Sequence, residues 1–268
     1  MRGDEKMRIV VCVKQVPDTT EVRIDPVTHT MIRAGVPSIL NPEDGNALEE
    51  ALRIKDKDPS VQVIALTMGP PQAKAMLREC LAMGADEAIL LSDRAFAGAD
   101  TWATSNAIAS AIRTVGEADI VFVGRQAIDG DTAQVGPEIA ERLGIPQVTY
   151  VRRLTVGEDG MLTVERQLES GYEVLEVKMP VLLSAVKELN TPRYLSVLNI
   201  CKAYEKEITV WSIDNIDITA EETGLKASPT KVVRSFSPVS SRAGLIWQGD
   251  VGGMTDHLID ALHEKHVV

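Results

Sequence analysis

The sequence predicts an α/β fold: a mostly parallel, doubly wound sheet, with antiparallel hairpins added to it and a C-terminal extension. Three observations carry this. Apolar runs at residues 7–13, 61–67, 87–91 and 120–123 read as strands buried on both faces, the mark of a parallel sheet. Between them lie stretches with apolar residues at helical spacing, so strands and helices alternate. After Gln147 the pattern changes to β-rich segments separated by turn signals.

Taken in order, Met7 begins the structured chain after a charged leader, and residues 7–13, MRIVVCV, form the first strand. Pro17 lies in the loop that leaves it, and residues 22–25 and 30–33 form a small hairpin. Asn41-Pro42 is a good N-cap and N1 pair, with Glu43 and Asp44 in the first turn. Ala47, Leu48, Ala51, Leu52 and Ile54 make the apolar stripe of a helix that runs to Lys57. The second strand breaks at Gly69-Pro70-Pro71, and Ala73, Leu77, Cys80 and Leu81 mark the next helix, with Gly84 as its stop. Asp100 caps a third helix carrying Ala107, Ile108, Ala111, Ile112 and Val115. Residues 147–156, 161–168 and 173–178 read as antiparallel hairpins, and 181–186 as a strand returning to the sheet centre. Residues 190–202 read as a loop, with Leu195, Val197 and Leu198 either core or a docking surface. Residues 207–212 are a last strand, and residues 254–265 a final amphipathic helix beyond a long stretch of low pattern. That helix must pack on its own domain or on another subunit.

The chain has 268 residues and a net charge of −11, which argues against a nucleic-acid or anionic-membrane partner. No apolar stretch is long enough to span a bilayer, and no signal or transit segment is visible before the first strand. Cys12, Cys80 and Cys201 are widely spaced, so a disulfide framework is not expected and a reduced, cytoplasmic setting is.

The stretch from Val121 to Leu143 carries a functional signal, weak by itself and strengthened by the loops that the topology places beside it. Its strand ends at Gly124, a polar loop with Gly130 follows, and Val135, Ile139 and Leu143 then repeat on one helix face. Strand, glycine-bearing loop and helix N-terminus is an arrangement that holds phosphate. The spacing matches neither GxGxxG nor GxxxxGK[ST]. On the residues alone the loop is either such a cradle or an ordinary turn, with Asp131 as cap and Gln134 at the capping-box position. The topology places three loops, 12–18 with 41–44, 67–70, and 124–135, beyond the C-terminal strand ends, where open α/β sheets bind ligands. Asp129 and Asp131 lack a partnering base or metal set. His29, His257, His263 and His266 form no cluster, and no catalytic constellation is visible.

Five ordered segments, MRIVVCVKQVPD, NPEDGNALEEALRIKD, LTMGPPQAKAMLRECLAMGADEAILLSD, VGRQAIDGDTAQVGPEIAERLG and VKELNTPRYLSVLNI, together resemble the beta subunit of electron transfer flavoproteins. The DGDTAQVGP loop is most like that of the electron-bifurcating group, and Gly130, Thr132 and Ala133 leave room for a dinucleotide. The resemblance implies a Rossmann-like fold of the adenine nucleotide alpha hydrolase type. It implies a nucleotide-binding domain over residues 7–212 and a C-terminal arm, 213–268, packing on an alpha subunit that carries its own FAD. The implied ligand is FAD, with structural AMP as the alternative for a non-bifurcating carrier. By resemblance it is held by Cys12, Asn41, Pro42, Glu43, Asp44, Met68, Gly124, Arg125, Gln126, Ala127, Ile128, Asp129, Gly130, Asp131, Thr132, Ala133, Gln134 and Val135. Pro192, Arg193, Tyr194, Leu195 and Val197 match the segment that docks on a flavin-dependent dehydrogenase of the acyl-CoA type. Electrons from NADH are implied to divide between that dehydrogenase, through the alpha-subunit FAD, and ferredoxin or flavodoxin. No side chain need act as acid or base. A stand-alone nucleotide-binding regulatory domain and a nucleotide hydrolase are the rival classes.

Overall fold

The computed structural model describes residues 6–18, 37–157, 160–233 and 244–268. The hairpin expected at 22–33 lies outside the described residues. Among the described residues two compact units are present, one running to Val233 and one containing residues 244–268.

The first unit is the expected mostly parallel α/β sheet. Its strands are β1 (Arg8–Cys12), β4 (Gln62–Met68), β5 (Glu87–Leu91), β6 (Ile120–Gly124), β7 (Gln147–Val156), β8 (Met161–Leu168), β9 (Gly171–Lys178), β10 (Val181–Ala185) and β11 (Thr209–Trp211). A small antiparallel pair, β2 (Gln15–Pro17) with β3 (Ser38–Leu40), stands apart. The large sheet runs β11-β5-β4-β1-β6-β10-β7-β8-β9. From β11 to β7 every pairing is parallel, and β8 and β9 add on antiparallel.

Alternation within β1 builds two cores. Ile9, Val11 and Val13 face a layer with Leu48, Leu52, Leu77 and Cys80, from α1 (Pro42–Lys57) and α2 (Lys74–Met83). Val10 and Cys12 face the other layer, with Ile108, Ile112 and Ile139, from α3 (Thr101–Val115) and α4 (Val135–Leu143). Strands covered on both faces must be apolar throughout, which is why their runs are continuous in sequence.

Three readings are corrected. The segment 147–156 is not purely part of a hairpin, because β7 also pairs in parallel with β10, through a register shift between Leu183 and Ala185. Residues 190–202 are not all loop: Val197–Glu205 is a helix, α5, whose N-terminus is capped by Ser196 accepting from the Asn199 amide at 3.1 Å. Its Ala203 is buried, and Arg78 of α2 donates to the carbonyls of Ala203 and Lys206. The terminal helix α7, Val251–Glu264, starts before Met254 because Asp250 caps the Gly253 amide at 3.0 Å, offsetting two helix-weakening glycines. Beyond Ser212 the first unit continues through a short helix, α6 (Gly224–Ala227): Ile216, Thr223 and Ser228 are buried, and Asp100 accepts from the Thr230 amide at 2.9 Å. In the second unit, α7 has no buried residue.

Ser196→Ala removes the α5 cap and is expected to lower unfolding free energy by about 1 kcal/mol in a denaturant titration. A change within about 0.3 kcal/mol contradicts the cap assignment.

Candidate functional site

The candidate site forms where β1 and β6 lie side by side and their connections leave in opposite directions along the sheet order. Two buried side chains from the first turn of α1 assemble it. The Asn41 carboxamide donates to the Gln126 carbonyl at 2.9 Å and accepts from the Ile128 amide at 3.1 Å. It therefore does not cap its own helix, although Asn41 is at the N-cap position. It engages the loop after β6 as a neighbouring strand would. The Asp44 carboxylate accepts from the Lys14 amide at 2.7 Å and the Gly124 amide at 3.0 Å. It thus joins the chain after β1 to the end of β6.

This arrangement depends on Gly124. A Cβ there would lie 2.3 Å from Asp44 Oδ1 and 2.9 Å from the Asp44 backbone nitrogen. Only glycine lets α1 approach the strand end this closely.

Charge pairs fasten the loop further. Arg125 pairs with Glu43 at 3.2 Å, the Gln126 amide donates to Glu43 at 3.3 Å, and Lys14 reaches Asp129 at 2.6 Å. Burial raises the Glu43 carboxyl above its usual range, against the pull of Arg125. Arg125 also lies over the Tyr150 ring at 5.9 Å, and its Nε is buried with no hydrogen-bond partner among the described residues. Tyr150 has a left-handed backbone, φ 58°, in the irregular stretch of β7.

The turn reading of Asp131 and Gln134 does not hold. Gln134 is itself the N-cap of α4, and the helix has no side-chain cap. Asp131 instead accepts from Gln126 at 2.8 Å, and Gln134 accepts from Thr101 at 3.0 Å. Asp131 and Ala133 both have positive φ, 51° and 53°. Left-handed residues in a short loop turn backbone N–H groups into an anion-binding concavity. An uncapped helix N-terminus and an unpaired guanidinium nitrogen suit the same kind of ligand, one bearing phosphate.

Of the expected residues, Asn41, Glu43 and Asp44 meet 124, 125, 126 and 128 directly, Asp129 is tied through Lys14, and Asp131 bonds within its own loop to Gln126. Thr132 and Gln134 are exposed farther along the loop, Ala133 and Val135 half-buried, and a Cβ on Gly130 would meet nothing within 4 Å. Pro42 is exposed. Met68 ends β4 on the same rim but packs against the α3–α4 core, as Cys12 does. Burial, and then the Asp44 charge, push the Cys12 thiol up and keep it protonated. Thr101 and Tyr150 also touch the candidate site, through Gln134 and Arg125, and had no sequence signal, whereas Lys14, which touches Asp129, lies in the 12–18 loop expected at this rim. Among the described residues no group of His, Cys, Asp or Glu could hold a metal ion, and no helix is long and apolar enough to cross a membrane.

The docking candidates divide. Leu195 packs partly buried on the main core, whereas Tyr194 and Val197 are 99% and 78% exposed. Pro192 is exposed and sits over Gly45 of α1. Arg193 is held within the chain, donating to Glu49 at 2.8 and 3.2 Å and to Asp56 at 2.7 Å.

Asp44 makes stability pH-dependent. Burial pushes its carboxyl up to about 7, against hydrogen bonds from Asn41, Lys14 and Gly124 that hold it down. A raised folded-state value means the contribution is present below the unfolded value and lost as pH rises through 7. From about pH 5 to about pH 8, wild type should lose roughly 3 kcal/mol relative to Asp44→Asn. A pH-independent difference between the two melting curves contradicts this.

The family model of the Electron transfer flavoprotein domain matches residues 28–216. The chain is 60% identical to the caffeyl-CoA reductase-Etf complex subunit CarD of Acetobacterium woodii, covering 98% of this chain and 100% of the relative. It is 58% identical, over the same shares, to the electron transfer flavoprotein subunit beta of Thermoanaerobacterium thermosaccharolyticum. It is 46% identical to the acryloyl-CoA reductase electron transfer subunit gamma of Anaerotignum propionicum, again over 98% and 100%.

Proposed function

We propose a function from one established premise: the chain belongs to the electron transfer flavoprotein family, as a beta-type subunit. It works as a heterodimer with an alpha-type flavin subunit, holds FAD at the β1–β6 rim, and passes electrons to a flavin-dependent dehydrogenase of the acyl-CoA type. The observation that carries the reading is the closure of the 124–135 loop onto α1 by Asn41 and Asp44, at the rim where such sheets bind nucleotides. The names of the Acetobacterium and Anaerotignum relatives, both tied to CoA-thioester reductases, support the choice of partner.

When bound, FAD supplies chemistry that takes electrons pairwise from NADH and releases them singly, toward the alpha-subunit flavin and toward ferredoxin or flavodoxin. This chain supplies position and electrostatics. Arg125 adds positive charge at the start of the loop, shared with its partner Glu43. The N-terminus of α4 offers backbone N–H groups to the diphosphate, while the Gly130 and Asp131 amides, both bonded to the Ala127 carbonyl, shape the turn beside it. Asn41 and Asp44 hold the loop in place before the ligand arrives, and buried Cys12 closes the floor. The exposed side of Gly130 leaves the dinucleotide room that AMP would not need. The arm with α7, whose Leu258 and Ile259 are exposed, reaches the alpha subunit.

Acid extraction of the purified heterodimer should release two FAD. One FAD with one AMP returns the chain to the non-bifurcating class. Val197→Asp should cut the rate of dehydrogenase reduction by about tenfold with flavin content intact. An unchanged rate removes Val197 from the docking surface.

A further inference from the structure

We propose that Arg193 is a positioning residue, a clasp that fixes the segment 190–196 on α1 and so holds Tyr194, Val197 and Leu198 out as one preformed apolar patch. The proposal rests on the reading that this patch docks a flavin dehydrogenase. It departs from the expectation that Arg193 itself meets the partner.

The geometry is that of a lock. The Glu49 side chain is only 4% exposed, so its carboxylate needs close partners. Arg193 meets it with a fork, Nε to Oε2 at 2.8 Å and a terminal nitrogen to Oε1 at 3.2 Å. The Arg193 backbone amide adds a third bond to Glu49 at 3.1 Å. The second arm of the guanidinium reaches Asp56, one helical stretch farther along α1, at 2.7 and 3.4 Å. Asn190 repeats the design three residues earlier. Its amide donates to the Asn46 carbonyl at 3.0 Å and to Glu50 at 2.9 Å, and Asn46 donates back to the Asn190 carbonyl at 2.8 Å.

The segment has no helix or strand of its own between Leu189 and Val197. Besides these bonds only Pro192, over Gly45, and Leu195, partly buried on the core, tie it down, and Tyr194 is 99% exposed. Ordering an apolar surface in advance lowers the entropy that docking must otherwise remove. A bidentate fork cannot be reproduced by lysine, which offers a point charge. Since α1 also carries Asn41 and Asp44 in its first turn, the same rod fixes the patch relative to the ligand rim.

The test uses the purified heterodimer carrying Arg193→Gln or Arg193→Lys, with amide hydrogen exchange over 191–198, flavin content, and steady-state reduction of the dehydrogenase. Arg193→Gln should speed exchange across the segment by about tenfold and raise KM for the dehydrogenase by about tenfold, with kcat and flavin content unchanged. Arg193→Lys should fall between. If Arg193→Gln does not fold, Glu49→Gln with Arg193→Gln removes the buried charge and carries the same expectation. Unchanged exchange overturns the clasp, and a raised KM alongside it makes Arg193 a direct contact. Faster exchange with unchanged KM overturns the positioning role. If Val197→Asp also leaves KM unchanged, the docking reading itself fails, independently of the clasp.

Discussion

The structure depends on one constraint: polar side chains buried at the start of α1 must find partners, and the partners lie on two other segments of chain. Asp44 takes the amides that end β6 and follow β1, and Asn41 takes the peptide groups of the loop beyond β6. An unsatisfied buried carboxylate is costly, so these bonds fix three separate pieces of backbone against one another. Gly124 is the complement of this design, since any larger residue would displace the helix turn that delivers the carboxylate.

From that anchor, α1 acts as a ruler. Its first turn shapes the rim at the ends of β1 and β6, and its middle turns hold the segment that leads into α5. Both faces of the central parallel strands are covered, whereas the added strand β9 is largely exposed. The flavin does the redox work, while the protein sets position and surroundings. The protonated, buried Cys12 fits a wall, not a nucleophile.

Much of this was legible in sequence, for identifiable reasons. Strands β1, β4, β5 and β6 are continuous apolar runs, and α1, α2, α3 and α4 show apolar residues at helical spacing. The rim followed from topology, because strand ends and loop positions are fixed once the winding is known. What failed was non-local or depended on a single cap. The parallel pairing of β7 with β10 is a tertiary choice that a β-rich segment does not announce. Helix α5 hinges on Ser196, hidden in a stretch that reads as loop. Asn41 was recognisable as an N-cap residue, yet its amide bonds across to residues 126 and 128, which local pattern cannot show. Tyr150 and Lys14 enter the site through contacts distant in sequence, with Arg125 and Asp129.

A hydrogen-exchange footprint of FAD added to the flavin-depleted heterodimer addresses the central claim most directly. The account predicts that amides at 13–18, 41–46 and 124–136 gain protection together, because one ligand closes one rim. Protection confined to the opposite end of the sheet, around 116–119 and 178–180, or to only one of the three segments, would contradict it.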